Sequence, residues 1–168
     1  VPHRSNFEAL NKKLQNPMDE YPPVSFHFKV EFNLSGVNGQ DREARFQEVT
    51  GFTKEVTVEE FKEGGENRYA HRFPSPAKYP NLVLKRGVLL NSKLIDWCFD
   101  AIDNFIFQPV DLTVTLLNEK HQPLIAWNFV GAYPLKWSTT DLKAQDNSLL
   151  IETLELAYKY FHKKKRDV

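Results

Sequence analysis

Five histidines are the first candidates for chemistry, since a neutral imidazole binds metal and titrates near neutral pH. His3, His27, His71, His121 and His162 are scattered, and none stands at ligand spacing with another His or a Cys. A metal site is therefore not expected. The single thiol, Cys98, would act as a nucleophile only if it were exposed beside a base. It falls on the apolar stripe of a predicted helix, where a thiol behaves as a small buried hydrophobe. Glu59, Glu60, Glu63 and Glu66 would suit acid–base work if paired, yet they crowd a polar segment with nothing to desolvate them. Gly64-Gly65 lacks the Lys-Ser/Thr and the helix that follow a phosphate-binding loop. Lys163 to Arg166 reads as a solvated tail. Trp97, Trp127 and Trp137 read as core or interface packing, not as a stacking platform. No catalytic group and no cofactor is expected.

The elements that would have to position such groups point to a structural protein as well. The chain has 168 residues, 41% hydrophobic and 26% charged, which fits one globular domain. Thirteen Phe, six Tyr and three Trp favour a β-rich interior. Lys+Arg and Asp+Glu are equal at 22 each, so no global field captures nucleic acid or anionic lipid. One cysteine excludes an internal disulfide framework and fits folding in a reducing cytoplasm. No run of 18 apolar residues and no basic-then-apolar leader is seen, so neither membrane anchoring nor a secretion signal is expected.

Residues 1–20 read as an N-terminal arm. Ser5 and Glu8 have capping-box spacing, Phe7, Leu10 and Leu14 form a short apolar stripe, and Pro17, Pro22 and Pro23 end it. A main domain is expected over 21–162 and a basic tail over 163–168. From Ser25 the period becomes two, with Phe26, Phe28, Val30, Phe32 and Leu34 on one side of a strand. Ala44 to Val49 is its expected return strand. Glu59 to Pro80 carries strand-like flanks around a Gly-Gly-Glu-Asn turn, a long polar hairpin. Tyr69 and Phe73 imply that this hairpin packs against something, because loops of such length are usually functional or disordered.

Leu82 to Lys85 reads as a short strand ending at Gly87. Ser92 opens a helix with Ile95, Cys98, Phe99, Ile102 and Ile106 as its predicted apolar stripe, Asp96, Asp100 and Asp103 on a polar flank, and Pro109 as its limit. Two strands, around Leu112 to Leu116 and Leu124 to Gly131, read as a hairpin, and Pro134 to Thr139 as a further short strand. Ser148 to Phe161 is the longest expected run, with Leu154, Leu156, Tyr158 and Tyr160 facing one way. The sum is a mainly β fold, an antiparallel β-sandwich or partly open barrel with one core α-helix.

Several strings, in order, resemble the tail tube protein family of contractile-tailed phages and phage tail-like injection systems. They are Phe26 to Phe32, the Glu63-Gly64-Gly65-Glu66-Asn67 turn, Lys78 to Gly87, Asp96-Trp97, Ala132 to Trp137, and Ile151 to Ala157. The resemblance covers Tyr21 to Phe161. It implies hexameric rings in which each subunit lends strands to one barrel around a channel, stacked head to tail inside a sheath and seated on a baseplate. The lumen would carry DNA or protein cargo. Such a particle would be assembled in the producing cell's cytoplasm and end as a virion or released extracellular particle. The ring-stacking element would be the hairpin, with Glu59, Lys62, Glu63, Gly64, Gly65, Glu66, Asn67, Arg68, Tyr69 and Phe73. Candidate lumen-facing positions are Lys29, Glu31, Thr113, Thr115, Thr153 and Glu155. The arm and tail exceed the family's simplest members, which leaves a tube-initiating paralogue at the baseplate as an alternative. A soluble single-chain barrel carrying a small molecule, and a hydrolase with unrecognised residues, are rival classes.

Overall fold

Alternation decides which residues of each strand meet the core, and the computed structural model follows it across most of the chain. It describes residues 28–34, 43–44, 46–65, 68–89, 92–142 and 149–164. The arm at 1–20, Phe26, Glu66, Asn67 and the tail beyond Lys164 lie outside the described residues. The described elements are β1 (Phe28–Phe32), β2 (Glu43–Ala44), β3 (Glu48–Thr50), β4 (Glu55–Phe61), β5 (His71–Lys78), β6 (Leu82–Gly87), α1 (Lys93–Asn104), β7 (Val110–Leu117), β8 (Pro123–Thr139), β9 (Ile151–Ala157) and β10 (Tyr160–Lys163). Every strand pairing is antiparallel.

One bent sheet runs β2-β1-β7-β8-β9-β6-β3, and β10 also pairs with β8. Its inward residues, among them Val30, Phe32, Leu82, Leu84, Leu112, Val114, Phe129, Leu154 and Leu156, form a single core. The expected return strand over Ala44 to Val49 is instead two short pieces. β2 lies on the β1 margin and β3 on the β6 margin, at opposite ends of the sheet order. Consecutive chain thus draws both margins together. Between them Phe46 is buried, 6.2 Å from the Phe32 ring and beneath the Arg86 guanidinium at 5.4 Å. The result is the mainly β, antiparallel fold with one helix expected from the pattern.

Two strands expected over Leu124 to Gly131 and Pro134 to Thr139 are one 17-residue strand, β8. Gly131 and Pro134 bend it without ending it. Gly131 takes φ +63° and donates its N–H to Asp111 Oδ1 at 2.9 Å, and the register slips opposite it. Opposite β8, the expected run through Phe161 is two strands, β9 and β10, with a register slip between Pro134 and Lys136 but none across the break, since Ala157 faces Tyr133 and Tyr160 faces Val130. Its inward parity nevertheless changes at Tyr158-Lys159. Tyr160 is exposed, whereas Phe161 is buried against Phe129 at 5.0 Å. Both strands switch at the same level, where the sheet folds from one wall to the other. Phe52 caps this corner, with its ring 5.2 Å from Trp127 and 5.5 Å from Phe129.

The helix is rolled relative to the expected stripe. Leu94, Trp97, Cys98 and Ala101 are buried, whereas Phe99, Ile102 and Ile106 are exposed. Trp97 sets the roll: its ring meets Phe32 at 6.2 Å and its indole N–H donates to the Gln108 carbonyl at 2.8 Å. Only this orientation buries the bulkiest side chain and satisfies its donor. The helix stops at Asn104, with Phe105 at φ 55° and its N–H turned back to the Asp100 carbonyl. No helix among the described residues is long and apolar enough to cross a membrane.

Gly51 leads the chain from β3 towards β4 at φ +108°, and a Cβ there would collide with the Asn81 carbonyl oxygen. Gly51→Ala is therefore expected to cost about 2 kcal/mol. A urea unfolding midpoint that stays in place would contradict it.

Candidate assembly surface

β4 and β5 form a two-stranded ribbon that hydrogen-bonds to no other described strand. They cross at Phe61 opposite His71 and Glu59 opposite Phe73. Side-chain parity therefore gathers Phe61, Tyr69, His71 and Phe73 on one face. Tyr69 packs edge-on against His71 at 5.3 Å, and His71 stacks on Phe73 at 6.1 Å. Yet Phe61 and Tyr69 are each 59% exposed and Phe73 is 56% exposed. An isolated hairpin is marginal in water, so a row of bare rings points to burial against another molecule.

Polar contacts along the ribbon are solvated. Arg72 lies 3.6 Å from Glu60, His71 lies 3.7 Å from Glu63, and Ser75 Oγ donates to Glu59 Oε1 at 3.1 Å. Lys62, Glu63, Gly64, Gly65 and Arg68 are exposed about the turn. The expectation of a polar hairpin needs one correction, because one of its faces is aromatic. Phe61 was not among the predicted site residues. Its signal was the spacing of Phe61, Tyr69, His71 and Phe73 on either side of the Gly-Gly turn. Pro74 and Pro76 lie inside β5, two residues apart, so both missing N–H groups fall on the same edge.

The candidate lumen residues fall in two groups. Lys29 is directly opposite Thr115, and Glu31 is opposite Thr113. Lys29 and Glu31 form an ion pair at 3.0 Å, and Thr113 Oγ1 bonds Asn128 Oδ1 at 3.2 Å. These four share the outward face of the β1–β7–β8 half, although Thr115 is buried within the chain. Thr153 and Glu155 lie on β9 in the other half, where Glu155 accepts from Asn81 Nδ2 at 2.7 Å. The fold does not bring the two groups together.

A buried polar cluster escaped the sequence reading. Arg86 on β6 and Glu152 on β9 face one another in the sheet and form an almost fully buried ion pair through Nε and Oε1. Arg86 Nη2 donates to Ser92 Oγ at 2.9 Å, and the Trp137 indole N–H donates to Glu152 Oε2 at 3.2 Å. The cluster ties the start of α1 to three strands, β6, β8 and β9. Its signal was phase: Arg86 continues the inward series Leu82, Leu84, and Glu152 precedes Leu154 and Leu156.

Cys98 is fully buried, and its thiol pKa is pushed up to about 12, first by burial and then by the nearby Glu152 charge. Tyr158 is shifted up as well, by burial and then by Tyr79. An acid whose folded pKa is raised ionises first in the unfolded chain. The stability Cys98 contributes is therefore complete below pH 9.0 and is lost as pH climbs towards about 12. Cys98→Ala is expected to flatten the fall in unfolding free energy over that window. Parallel curves for the two proteins would exclude this cause.

The described residues thus build a curled antiparallel sheet with one helix and a solvent-directed aromatic ribbon. The chain belongs to the T4-like virus tail tube protein gp19 family, whose family model matches residues 24–162. Among solved structures, it is 30% identical to a chain of the anti-feeding prophage baseplate (cryo-EM, 6-fold symmetrised). That match covers 88% of this chain and 99% of the other, with a TM-score of 0.78. A chain of the extended sheath–tube complex of PVC, an extracellular contractile injection system, is 22% identical, with 86% and 93% coverage and a TM-score of 0.71. One from the anti-feeding prophage tube-terminating cap is 21% identical, with 86% and 91% coverage and a TM-score of 0.69. The latter two likenesses concern the fold. No curated protein matches the chain.

Proposed function

We propose that this chain is a ring-forming subunit of the inner tube of a contractile injection system, with hexameric rings stacked head to tail into a hollow conduit. The observation that carries the reading is the ribbon of β4 and β5, which displays Phe61, Tyr69 and Phe73 to solvent and pairs with no other strand among the described residues. A ribbon of this kind laid on an adjacent ring buries its aromatic face, and repetition of that heterologous contact propagates a filament. Glu59 to Tyr79 is then the stacking element. One outward polar face, either the Lys29, Glu31, Thr113 and Thr115 side or the Thr153 and Glu155 side, lines the water-filled channel. Neighbouring copies complete the barrel by covering the short-stranded margins. Sheath and baseplate proteins are the outer partners, and DNA or protein is the cargo. Assembly takes place in the producing cell's cytoplasm, and the finished subunit belongs to a virion or released particle.

A second reading, the ring that starts the tube at the baseplate, is favoured by the match to the baseplate chain, at 30% identity against 22% for the sheath–tube complex. Negative-stain microscopy of concentrated protein tests both. Long tubes with a central hole support the repeating subunit. Single rings that seed tubes of a second protein support the initiator. A chain that stays monomeric at high concentration and in the presence of baseplate components refutes both.

A further inference from the structure

The stacking role leaves one large apolar surface unused, at the end of α1. Phe99, edge-on to Trp137 at 5.0 Å, and Ile102 keep exposed edges outside the buried side of the helix, and Phe105, Ile106 and Phe107 follow it. Phe105 is 82% exposed, with Phe107 edge-on at 5.0 Å. Leu135 adds an exposed side chain from the part of β8 beyond the end of β7. Asp96, Asp100 and Asp103 are exposed along the adjoining flank, and no basic residue occupies the last turn of the helix.

We propose that the chain's own N-terminal arm covers this surface, with Phe7, Leu10 and Leu14 set on Ile102, Phe105 and Phe107 and with Lys12 and Lys13 towards the aspartates. Three features of the chain fit this occupant. The arm's apolar residues stand three and four apart, the spacing of one helix face, and a helix this short needs a surface to form in water. Its lysines complement an acidic flank with Lys93 at its start and no basic residue in its last turn. The reach is ample. Phe28 opens β1, and Phe32 at the other end of β1 touches Trp97 of α1. That strand spans about 13 Å, and α1 about 18 Å. Residues 15–27 reach up to ~43 Å when extended, and Pro17, Pro22 and Pro23 favour extension.

The test is an intrachain disulfide in the full-length protein carrying Leu10→Cys and Ile102→Cys, oxidised mildly at concentrations where it is monomeric. Cys98 stays in place, since its thiol is fully buried in the core. The expected product is a linked monomer as the main species, with its yield cut about tenfold by added Phe7→Asp and Leu14→Asp. Links formed only between chains would assign the surface to a second copy, and no link would remove the arm from it. Either result overturns the proposal. Hydrogen exchange gives an independent reading: removing residues 1–20 is expected to speed exchange at 105–107 about tenfold, and an unchanged rate overturns the proposal too.

Discussion

Arg86→Met is expected to lower the stability of the chain by about 3–5 kcal/mol, and Glu152→Leu by a similar amount. Each leaves one charge behind in the core, where Arg86 and Glu152 are 2% and 3% exposed. The penalty comes from the partner left unpaired, not from the pair's net worth, since two charges taken out of water recover little more than their desolvation cost. It is large beside a typical net stability of about 5–15 kcal/mol. In a domain of this size it moves the melting temperature by roughly 10–15 °C. The combined Arg86→Met/Glu152→Leu protein is expected to recover most of the loss, because no uncompensated charge remains. Thermal unfolding of the four proteins checks this. Additive losses in the double variant would show that the cluster's worth lies in its bonds to Ser92 and Trp137.

Phe61→Ser combined with Phe73→Ser is expected to suppress polymerisation strongly while leaving the subunit folded. Both rings are more than half exposed in the single chain, so removing them changes subunit stability by about 0.5 kcal/mol or less. At a ring–ring contact, each ring forfeits on the order of 1 kcal/mol of further burial. Two rings per subunit then raise the concentration needed for polymer by on the order of thirty-fold. Deleting Gly64 to Asn67 tests the same surface by shortening the ribbon. Sedimentation of assembled material, with circular dichroism of the soluble fraction, separates loss of stacking from loss of fold. Tubes of normal length from either protein would reassign the ribbon.

Much of this architecture is legible in the residue pattern. The strict alternation through Val30 and Phe32, through Leu112 and Val114, and through Leu154 and Leu156 places those side chains inward. What the pattern misplaces are continuity and phase. Gly131 and Pro134 look like terminators, yet β8 passes through both, because a bend can be absorbed by a register slip where β7 gives way to β9. The helix stripe fails for another reason. Counting apolar residues favours Ile95, Phe99 and Ile102, but the roll is set by Trp97, which must seat both its ring and its N–H. The candidate stacking surface is half legible. Its turn and charges are plain, whereas its aromatic face needs the cross-strand register of β4 and β5 to be seen. The buried ion pair was written in the sequence as charges in the apolar phase, and only the pairing of β6 with β9 shows that they meet.

The two prolines inside β5 bear on the life of the subunit before any particle exists. A bare ribbon edge is the kind of template on which amyloid ladders grow. With Pro74 and Pro76 unable to donate, an incoming strand finds two consecutive rungs missing along that side. Growth by strand templating is thereby discouraged, while the aromatic face stays open. The hairpin can wait, sticky in one direction and inert in another.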